Sequence, residues 1–424
     1  MTSRPLQRGS APPGPGGDLA APRARGVERR RPRLGYLSGA PRVSTRPDAE
    51  ATGPRSHIVG ILAAFEALGW EVRPYIVGDR MPPKVATESH GLLTRGRHWA
   101  LLADVGRLAL RVVNAHRAHR ELGSDVDWVY ERFASFQALG APFQRRGIPW
   151  VLETQGPFYE EAKLDRKSLV LSRLARRLEL RAYRQCDVLV CVSHALRDLL
   201  VREAKLPPDK VLVVPNGVDP EVFAPPSRPA ARFFEGLTIG YTGSLTRWQG
   251  LDLLLRAMRE LHASGMPLHL VVIGDGMMRE AWEALAAELG LADRVRFRGR
   301  VPLAEVPALV DGTDLGFAGH AESRHGRVYH SPLKIYEYLA MGKPVVASAS
   351  EDALAVLRDG ENGFVYPPGD LAGLTGALRR AWTLRERLPA MGRRAREEIV
   401  AHHTWTVRAE QIRRGVEGVL AGRA

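Results

Sequence analysis

The stretch His330-Ser331-Pro332-Leu333-Lys334-Ile335-Tyr336-Glu337-Tyr338-Leu339-Ala340-Met341-Gly342-Lys343-Pro344-Val345-Val346-Ala347-Ser348 decides how this chain is read. Pro332 suits a first helical turn. Leu333, Tyr336, Leu339 and Ala340 recur at the spacing of one helix face, and Gly342 stops the helix before a β-branched run. The predicted unit is helix, tight turn, strand. Lys334 and Glu337 lie three residues apart on that short helix, so a cation and a carboxylate share one end of it, where backbone N–H groups also favour an anion. The pair suits a phosphate and a ribose held together; the competing reading is an ordinary surface ion pair at i,i+3.

The same alternation repeats upstream. Leu237–Tyr241 reads as a strand leading into Gly243-Ser244-Leu245-Thr246-Arg247-Trp248-Gln249-Gly250, followed by a helix with Leu253, Leu254, Ala257, Met258 and Leu261. Leu268–Ile273 is a strand ending in Gly274-Asp275-Gly276, and a helix follows with Met278, Ala281, Trp282, Leu285 and Leu289. Val295–Gly299, Leu315–Ala318 and Val345–Ala347 are further short strands. A last long helical segment spans about Ala372 to Leu420.

An earlier, separate run begins at Leu34–Ser38, a strand followed by a polar loop from Gly39 to Arg55. The helix after it carries Ile58, Ile61, Leu62, Phe65 and Leu68 and closes at Gly69; Val72–Val77 is the next strand. Trp128–Tyr130 and Pro149–Thr154 are strands, the second ending in Gln155-Gly156-Pro157. A helix over about Ser168–Tyr183 places Leu171, Leu174, Leu178 and Ala182 on one face, with Arg173, Arg176, Arg177, Arg181 and Arg184 elsewhere; the arginines suit a solvated face or a membrane-contact face. Val188–Val192 is a continuous apolar run, as in a buried parallel strand, and Ser193 caps the next helix. Val211–Val214 leads into the turn Pro215-Asn216-Gly217-Val218-Asp219, and Pro225–Pro229 reads as an interdomain hinge. Two runs of βα units predict an α/β protein with two doubly wound domains facing a cleft. Ligands bind such sheets at the carboxyl ends of the strands, which nominates Gly53, Arg55, His57, Glu153 and Gln155 in the first domain. The boundaries expected are a tail over 1–32, domains over 33–222 and 223–395, and a final helix over 396–424.

The chain has 424 residues, 45% of them apolar, enough for sizeable cores. Its net charge is +14, but residues 1–33 hold eight Arg against Asp18 and Glu28, so +6 belongs there and +8 to the remaining 391 residues. Nothing has zinc-finger spacing or an aromatic RNA-binding signature, so nucleic acid is not expected; an anionic ligand or acidic membrane surface accounts for the residual charge. Residues 1–32, rich in Pro, Gly and Arg, read as disordered. No apolar run approaches the ~20 residues of a bilayer span, and the N-terminus lacks an apolar signal segment. The expectation is a cytoplasmic protein, with peripheral contact at the inner membrane face. Cys186 and Cys191 stand five apart in a predicted strand, on opposite faces, and read as buried thiols. His320, His325 and His330 recur every fifth residue with Glu322 nearby; that spacing leaves one helix face, and they read as polar lining rather than metal ligands.

Taken in order, these motifs resemble one family, the retaining glycosyltransferases of family 4, which have the GT-B fold. The resemblance rests on the polar loop after the first strand, Val192-Ser193, Pro215–Asp219, Tyr241-Thr242-Gly243 to Gln249-Gly250, Val272–Gly276, Phe297-Arg298-Gly299-Arg300-Val301-Pro302 and, above all, Ser331–Ser348. It covers roughly residues 33–410. It implies transfer of a sugar from a UDP-, GDP- or ADP-sugar to a glycan, lipid-linked or small-molecule acceptor, with retention and no required metal or other cofactor. It implies a second domain that holds the donor, a first domain that holds most of the acceptor, and a C-terminal helix that crosses back onto the first. Glu337 matches the second member of the family's glutamate pair, which accepts from the ribose hydroxyls, and Gly243 the glycine whose loop approaches the diphosphate.

The departures are specific. The first glutamate of that pair falls at Tyr329, and the usual Arg and Lys at the diphosphate correspond to Ser244 and Gln249. Departure of a phosphate depends on fixed positive charge, so Arg247, Lys334, Arg300 and Arg327 are the expected compensation. The donor set expected is Gly243, Ser244, Gln249, Gly274, Gly276, Arg300, Arg327, His330, Ser331, Leu333 and Glu337, with Lys334, Arg247 and Glu337 closest to the chemistry. The alternatives are a sugar-nucleotide epimerase or glycan phosphorylase of the same fold, or a non-catalytic nucleotide-sugar-binding relative.

Overall fold

A computed structural model describes residues 30–50, 52–82, 97–160, 169–321 and 326–422. Most of the expected tail, and Glu322 and His325, lie outside them. The first half runs β1 (Arg33–Ser38), α1 (Gly53–Ala67), β2 (Glu71–Ile76), α2 (Arg97–Leu122), β3 (Trp128–Arg132), α3 (Ala141–Gln144), β4 (Trp150–Thr154), α4 (Ser172–Gln185), β5 (Val188–Cys191), α5 (His194–Ala204) and β6 (Val211–Val213). Its six strands are all parallel, in the order β2-β1-β3-β4-β5-β6.

The second half runs β7 (Thr238–Thr242), α6 (Leu251–Ala263), β8 (His269–Ile273), α7 (Arg279–Glu288), β9 (Val295–Gly299), α8 (Val306–Asp311), β10 (Leu315–Ala318), α9 (Leu333–Ala340), β11 (Val345–Ser348), α10 (Glu351–Val356), β12 (Gly363–Tyr366), α11 (Leu371–Thr383), α12 (Leu388–His402) and α13 (Trp405–Ala421). Its sheet is parallel too, ordered β12-β11-β10-β7-β8-β9. Strands such as Val188–Cys191 and Val345–Ser348 are buried throughout, because helices cover both faces of each sheet. The strand order reverses between β1 and β3 and again between β7 and β10, which opens a crevice at the carboxyl end of each sheet.

Three features differ from expectation. Helix α2, 26 residues long, was not foreseen, because its outer face is apolar and masks the 3.6 period. On α4 the buried residues are Ala175, Glu179, Leu180, Ala182 and Tyr183, whereas Leu174 is exposed. The Glu179 carboxylate accepts from the amides of Phe158 and Tyr159, both at 2.9 Å, and from the Tyr183 hydroxyl at 2.8 Å; a satisfied buried carboxylate reads as surface in an apolar pattern. The last helical segment is three helices, broken at Leu384–Arg387 and at His403–Thr404.

The second break sends the chain back. Helix α12 packs on α9, but the Thr404 side chain accepts from the Val407 amide and starts a new helix. That helix, α13, lies on α1, with Trp405 buried among Leu34, Tyr36, Ile58, Ile61 and Phe65 of the first half. Gly60 makes room: a Cβ there would stand 2.3 Å from Trp405 Cδ1. At the crossing, the Val218 amide donates to the His403 carbonyl and the Trp405 amide to the Val218 carbonyl, both at 3.1 Å. Cys186 and Cys191 are both free and buried, and burial pushes the Cys191 thiol up to about 12.

Candidate active site

The floor of the second-half crevice is built from glycines. Gly243, just beyond β7, has φ +128°, and Gly274, just beyond β8, has φ +140°, both in the region that favours glycine. A Cβ at Gly274 would lie 1.9 Å from the Gly243 carbonyl oxygen, and one at Gly276 2.5 Å from that of Leu245. The Gly243 amide donates to Ile273 and the Leu245 amide to Asp275, each at 3.0 Å, so the two loops stack as one layer. A third loop, after β10, joins through the Ala321 amide, which donates to the Trp248 carbonyl at 2.9 Å.

Lys334 enters this layer from the first turn of α9. It is buried, its Nζ donates to Gln249 Oε1 at 2.7 Å, and it stands 3.9 Å over the Tyr241 ring. The Tyr241 hydroxyl donates to the Ser244 carbonyl at 2.8 Å, which fixes the loop beneath. Burial lowers the Lys334 ammonium to about 7, against the opposing pull of Glu337. Glu337, one turn further along α9, is raised by burial to about 7, with Lys334 opposing. His320, in the loop just after β10, is held well below the usual histidine range by burial, and then by the charges of Lys334 and His330. The His320 and His330 rings are 6.2 Å apart. Lys334 therefore adds to the burial that keeps His320 neutral, and a diphosphate placed here would favour the charged form of the lysine.

The structure thus brings together Gly243, Ser244, Gln249, Gly274, Gly276, Lys334 and Glu337, with His330 beside them. Arg247 is exposed in the turn before α6. Arg300 and Arg327, expected at the diphosphate, stand in ion pairs instead: Arg300 with Glu50 of the first half, and Arg327 with Asp198 of the first half at 3.1 Å and Glu351 at 3.6 Å. Leu333 faces α1, where its Cδ1 is 3.4 Å from the position of a Cβ at Gly53. Arg55 donates to the Arg46 carbonyl at 3.1 Å and orders the loop after β1.

His57, Glu153 and Gln155 form a second, buried constellation. His57 Nε2 lies 2.7 Å from Glu153 Oε1, the Tyr130 hydroxyl donates to Glu153 Oε2 at 2.7 Å, and Gln155 Nε2 donates to the same carboxylate. Burial alone raises the Glu153 carboxyl, but His57, Arg132 and Tyr130 together hold it below its ordinary value. The His57 ring meets Trp405 edge-on at 5.0 Å. At 3% and 2% exposed, His57 and Glu153 do not form open cleft wall. The chain of contacts continues: Asn216 Nδ2 donates to Gln155 Oε1 at 3.3 Å and to the Ser331 carbonyl at 2.6 Å, and the Asn216 amide donates to Ser331 Oγ at 2.9 Å. Ser331 therefore clasps the turn after β6. Arg408 of α13 donates to the Asn216 carbonyl at 3.0 Å.

Sequence reasoning missed Asn216, Arg408 and Tyr241 as parts of these sites. Asn216 showed only as a turn residue, and nothing local marks a helix-borne arginine that reaches 192 positions back. Glu351 was missed likewise; its carboxylate accepts from the His194 and Ala195 amides at 3.0 and 2.9 Å and caps α5 across the two halves. Tyr329, at the position of the family's first glutamate, is buried, and its carbonyl accepts from Ser193 Oγ at 2.8 Å. Among the described residues no three His, Cys, Asp or Glu side chains gather as metal ligands.

Comparison with known proteins places this geometry. The family described as "Glycosyltransferase Family 4" matches residues 51–222, and "Glycosyl transferases group 1" matches residues 236–383. The chain is 32% identical over 245 residues to a D-inositol 3-phosphate glycosyltransferase of Stackebrandtia nassauensis, across 54% of this chain and 53% of that protein. It is 29% identical over 309 residues to a GDP-mannose-dependent alpha-(1-6)-phosphatidylinositol monomannoside mannosyltransferase of Mycolicibacterium smegmatis, across 70% of this chain and 78% of that protein. The chain thus spans about half the length of the first of these relatives. Among solved structures, sucrose-phosphate synthase of Thermosynechococcus elongatus superposes with a TM-score of 0.68 at 18% identity, across 92% of this chain and all of that one. HepE of Anabaena in complex with UDP gives 0.63 at 16% identity, across 91% and 100%. With both halves matched in order and the two-sheet architecture shared, the chain belongs to the family 4, group 1 glycosyltransferases of GT-B fold.

Proposed function

We propose that this chain transfers a glycosyl group from a nucleoside-diphosphate sugar to an acceptor hydroxyl, with retention at the anomeric carbon and without a required metal. The observation that carries the reading is the buried Lys334, held by Gln249 and Tyr241 above the glycine layer of Gly243 and Gly274, with Glu337 one turn away. Lys334 faces the diphosphate and Glu337 takes the ribose hydroxyls; the glycines let the backbone approach the phosphates. The acceptor hydroxyl attacks on the face that the diphosphate leaves. The bond from C1 to the phosphate oxygen breaks with its electron pair on the diphosphate, the new C1–O bond forms, and the hydroxyl proton passes to the departing phosphate oxygen. Relatives are named for GDP-mannose and for inositol-containing acceptors, and a structural neighbour was solved with UDP. These support a nucleotide-sugar donor and a small-molecule or lipid-linked acceptor. No described helix is long and apolar enough to cross a membrane, so contact with a lipid-linked acceptor is peripheral in this reading.

A second reading, donor binding without turnover, is favoured by the two replaced cations at Ser244 and Gln249. Titration calorimetry with a panel of nucleotide sugars, beside Glu337→Ala, tests both. Binding of one nucleotide class that collapses in the variant, followed by turnover to a product of retained configuration, is the expected result. Binding with no turnover under any acceptor selects the second reading, and an inverted product rules out the front-face route.

A further inference from the structure

Helix α2 spans Arg97–Leu122, about 39 Å at the usual rise, and one side of it is out of place on a solvated protein. Every exposed residue from Trp99 to Val113 is apolar, with Leu102 61%, Val105 51% and Val112 72% exposed. A solvated helix carries its charges on that side. Here Asp104 is turned inward, where its Oδ2 accepts from the Val170 and Leu171 amides at 2.8 and 2.9 Å. Those contacts tie α2 to the start of α4, and Leu108 packs in the same small core as Ala175 and Leu178.

The flanks of the strip are basic. Arg117 and Arg120 are exposed on the last turns of α2, where the exposed acid Glu121 is paired with Arg80, and every exposed charged residue of α4 is an arginine, its one carboxylate, Glu179, being buried. An apolar strip bordered by arginines and lacking acids along its length fits a surface that is greasy within and anionic at its edge. Both helices follow strands of a parallel sheet, so their first turns lie toward the carboxyl end, where the crevice opens.

We propose that the exposed face of α2 lies in the interface of an anionic lipid bilayer, with Arg177 and Arg181 of α4 and Arg117 and Arg120 of α2 at headgroup level. The strip anchors the first half and leaves its crevice beside the lipid headgroups. This deepens the reading of a lipid-linked acceptor but is tested without catalysis, so the two fail separately.

The full chain is floated with vesicles of phosphatidylcholine alone and of phosphatidylcholine mixed with phosphatidylglycerol. The wild type binds the mixed vesicles and binds less at high salt. Leu102→Gln/Val112→Gln changes no charge and removes two exposed apolar groups; it weakens vesicle binding by about tenfold or more and leaves nucleotide-sugar affinity unchanged. Arg177→Gln/Arg181→Gln weakens binding to the mixed vesicles and reduces its salt dependence. The proposal is overturned if the wild type binds neither vesicle, or if the Leu102→Gln/Val112→Gln protein binds as well as the wild type, which assigns binding to the basic N-terminal residues. It is equally overturned if the wild type dimerises through this face, the same variant being monomeric, and ignores lipid.

Discussion

At the scale of single residues, the site is governed by what burial does to charge. Lys334 is lowered to about 7 by desolvation, so it sheds its proton near neutrality in the free chain, while a diphosphate favours the charged form. Donor binding should therefore take up a proton above pH 7, and affinity should fall by roughly tenfold per pH unit as the pH rises beyond that value. Calorimetry in buffers of different ionisation enthalpy measures the uptake. Lys334→Met should cost a factor of roughly 10 to 150 at pH 6, the worth of a hydrogen bond to a charged group, and should flatten the pH profile. Gly274→Ala tests the layer itself. With φ +140° and a Cβ 1.9 Å from the Gly243 carbonyl, the substitution has backbone on its far side and nowhere to go. It should destabilise by roughly 1–3 kcal/mol and abolish detectable donor binding, read by urea unfolding and calorimetry.

At the scale of elements, α13 and α2 are opposite cases. The residues of α13 that matter are packed: Trp405 fills the space left by Gly60 and stands against His57. Trp405→Ala should cost about 3–5 kcal/mol in urea unfolding, the range for deleting a large buried aromatic. It should also expose the His57–Glu153 pair to water. Helix α2 carries an interior glycine, Gly106, that has open space where a Cβ would go. Gly106→Ala should raise stability by about 1 kcal/mol, through backbone entropy alone, measured by the same unfolding curve. The bounds of the short helix α9 were legible, because Pro332 and Gly342 bracket it, but the burial of Lys334, Ile335 and Tyr338 outside the expected face was not. Helix α2 was not legible, because its outer face is apolar while Asp104 and Asn114 are turned inward, which blurs the usual amphipathic signature.

At the scale of the whole molecule, the two halves are joined by apolar packing, with Trp405, Ala409, Ile412 and Val416 of α13 in the core of the first half, and by a few polar clasps. The line from Glu153 through Gln155 and Asn216 to Ser331 links the end of β4 to the residue two positions before α9. Asn216→Ala breaks it without opening either core. Stability should change by only about 1 kcal/mol, whereas turnover should fall roughly tenfold, because the donor helix is no longer held in register with the first half. Thermal unfolding beside kcat and KM separates these outcomes; a turnover loss no larger than the stability loss would deny the clasp a positioning role. Arg300 and Arg327 belong to the same scale. Their sequence positions suggested phosphate contacts, but guanidinium groups with carboxylates within reach across the crevice pair with those carboxylates.

What the sequence determined by itself is what repeats locally: two runs of βα units, the glycines that must turn where no other residue fits, and a lysine and a glutamate set three apart on one short helix. Hydrophobic period and backbone sterics act over a few residues, so they are written in order along the chain. The tertiary structure alone decided that the last helix returns to the first half, that His57 and Glu153 are buried beneath Trp405, that two arginines close the halves, and that one long helix keeps an apolar face outside. Each of these depends on groups far apart in sequence competing for the same partner or the same space, and that competition is resolved only when the chain is folded.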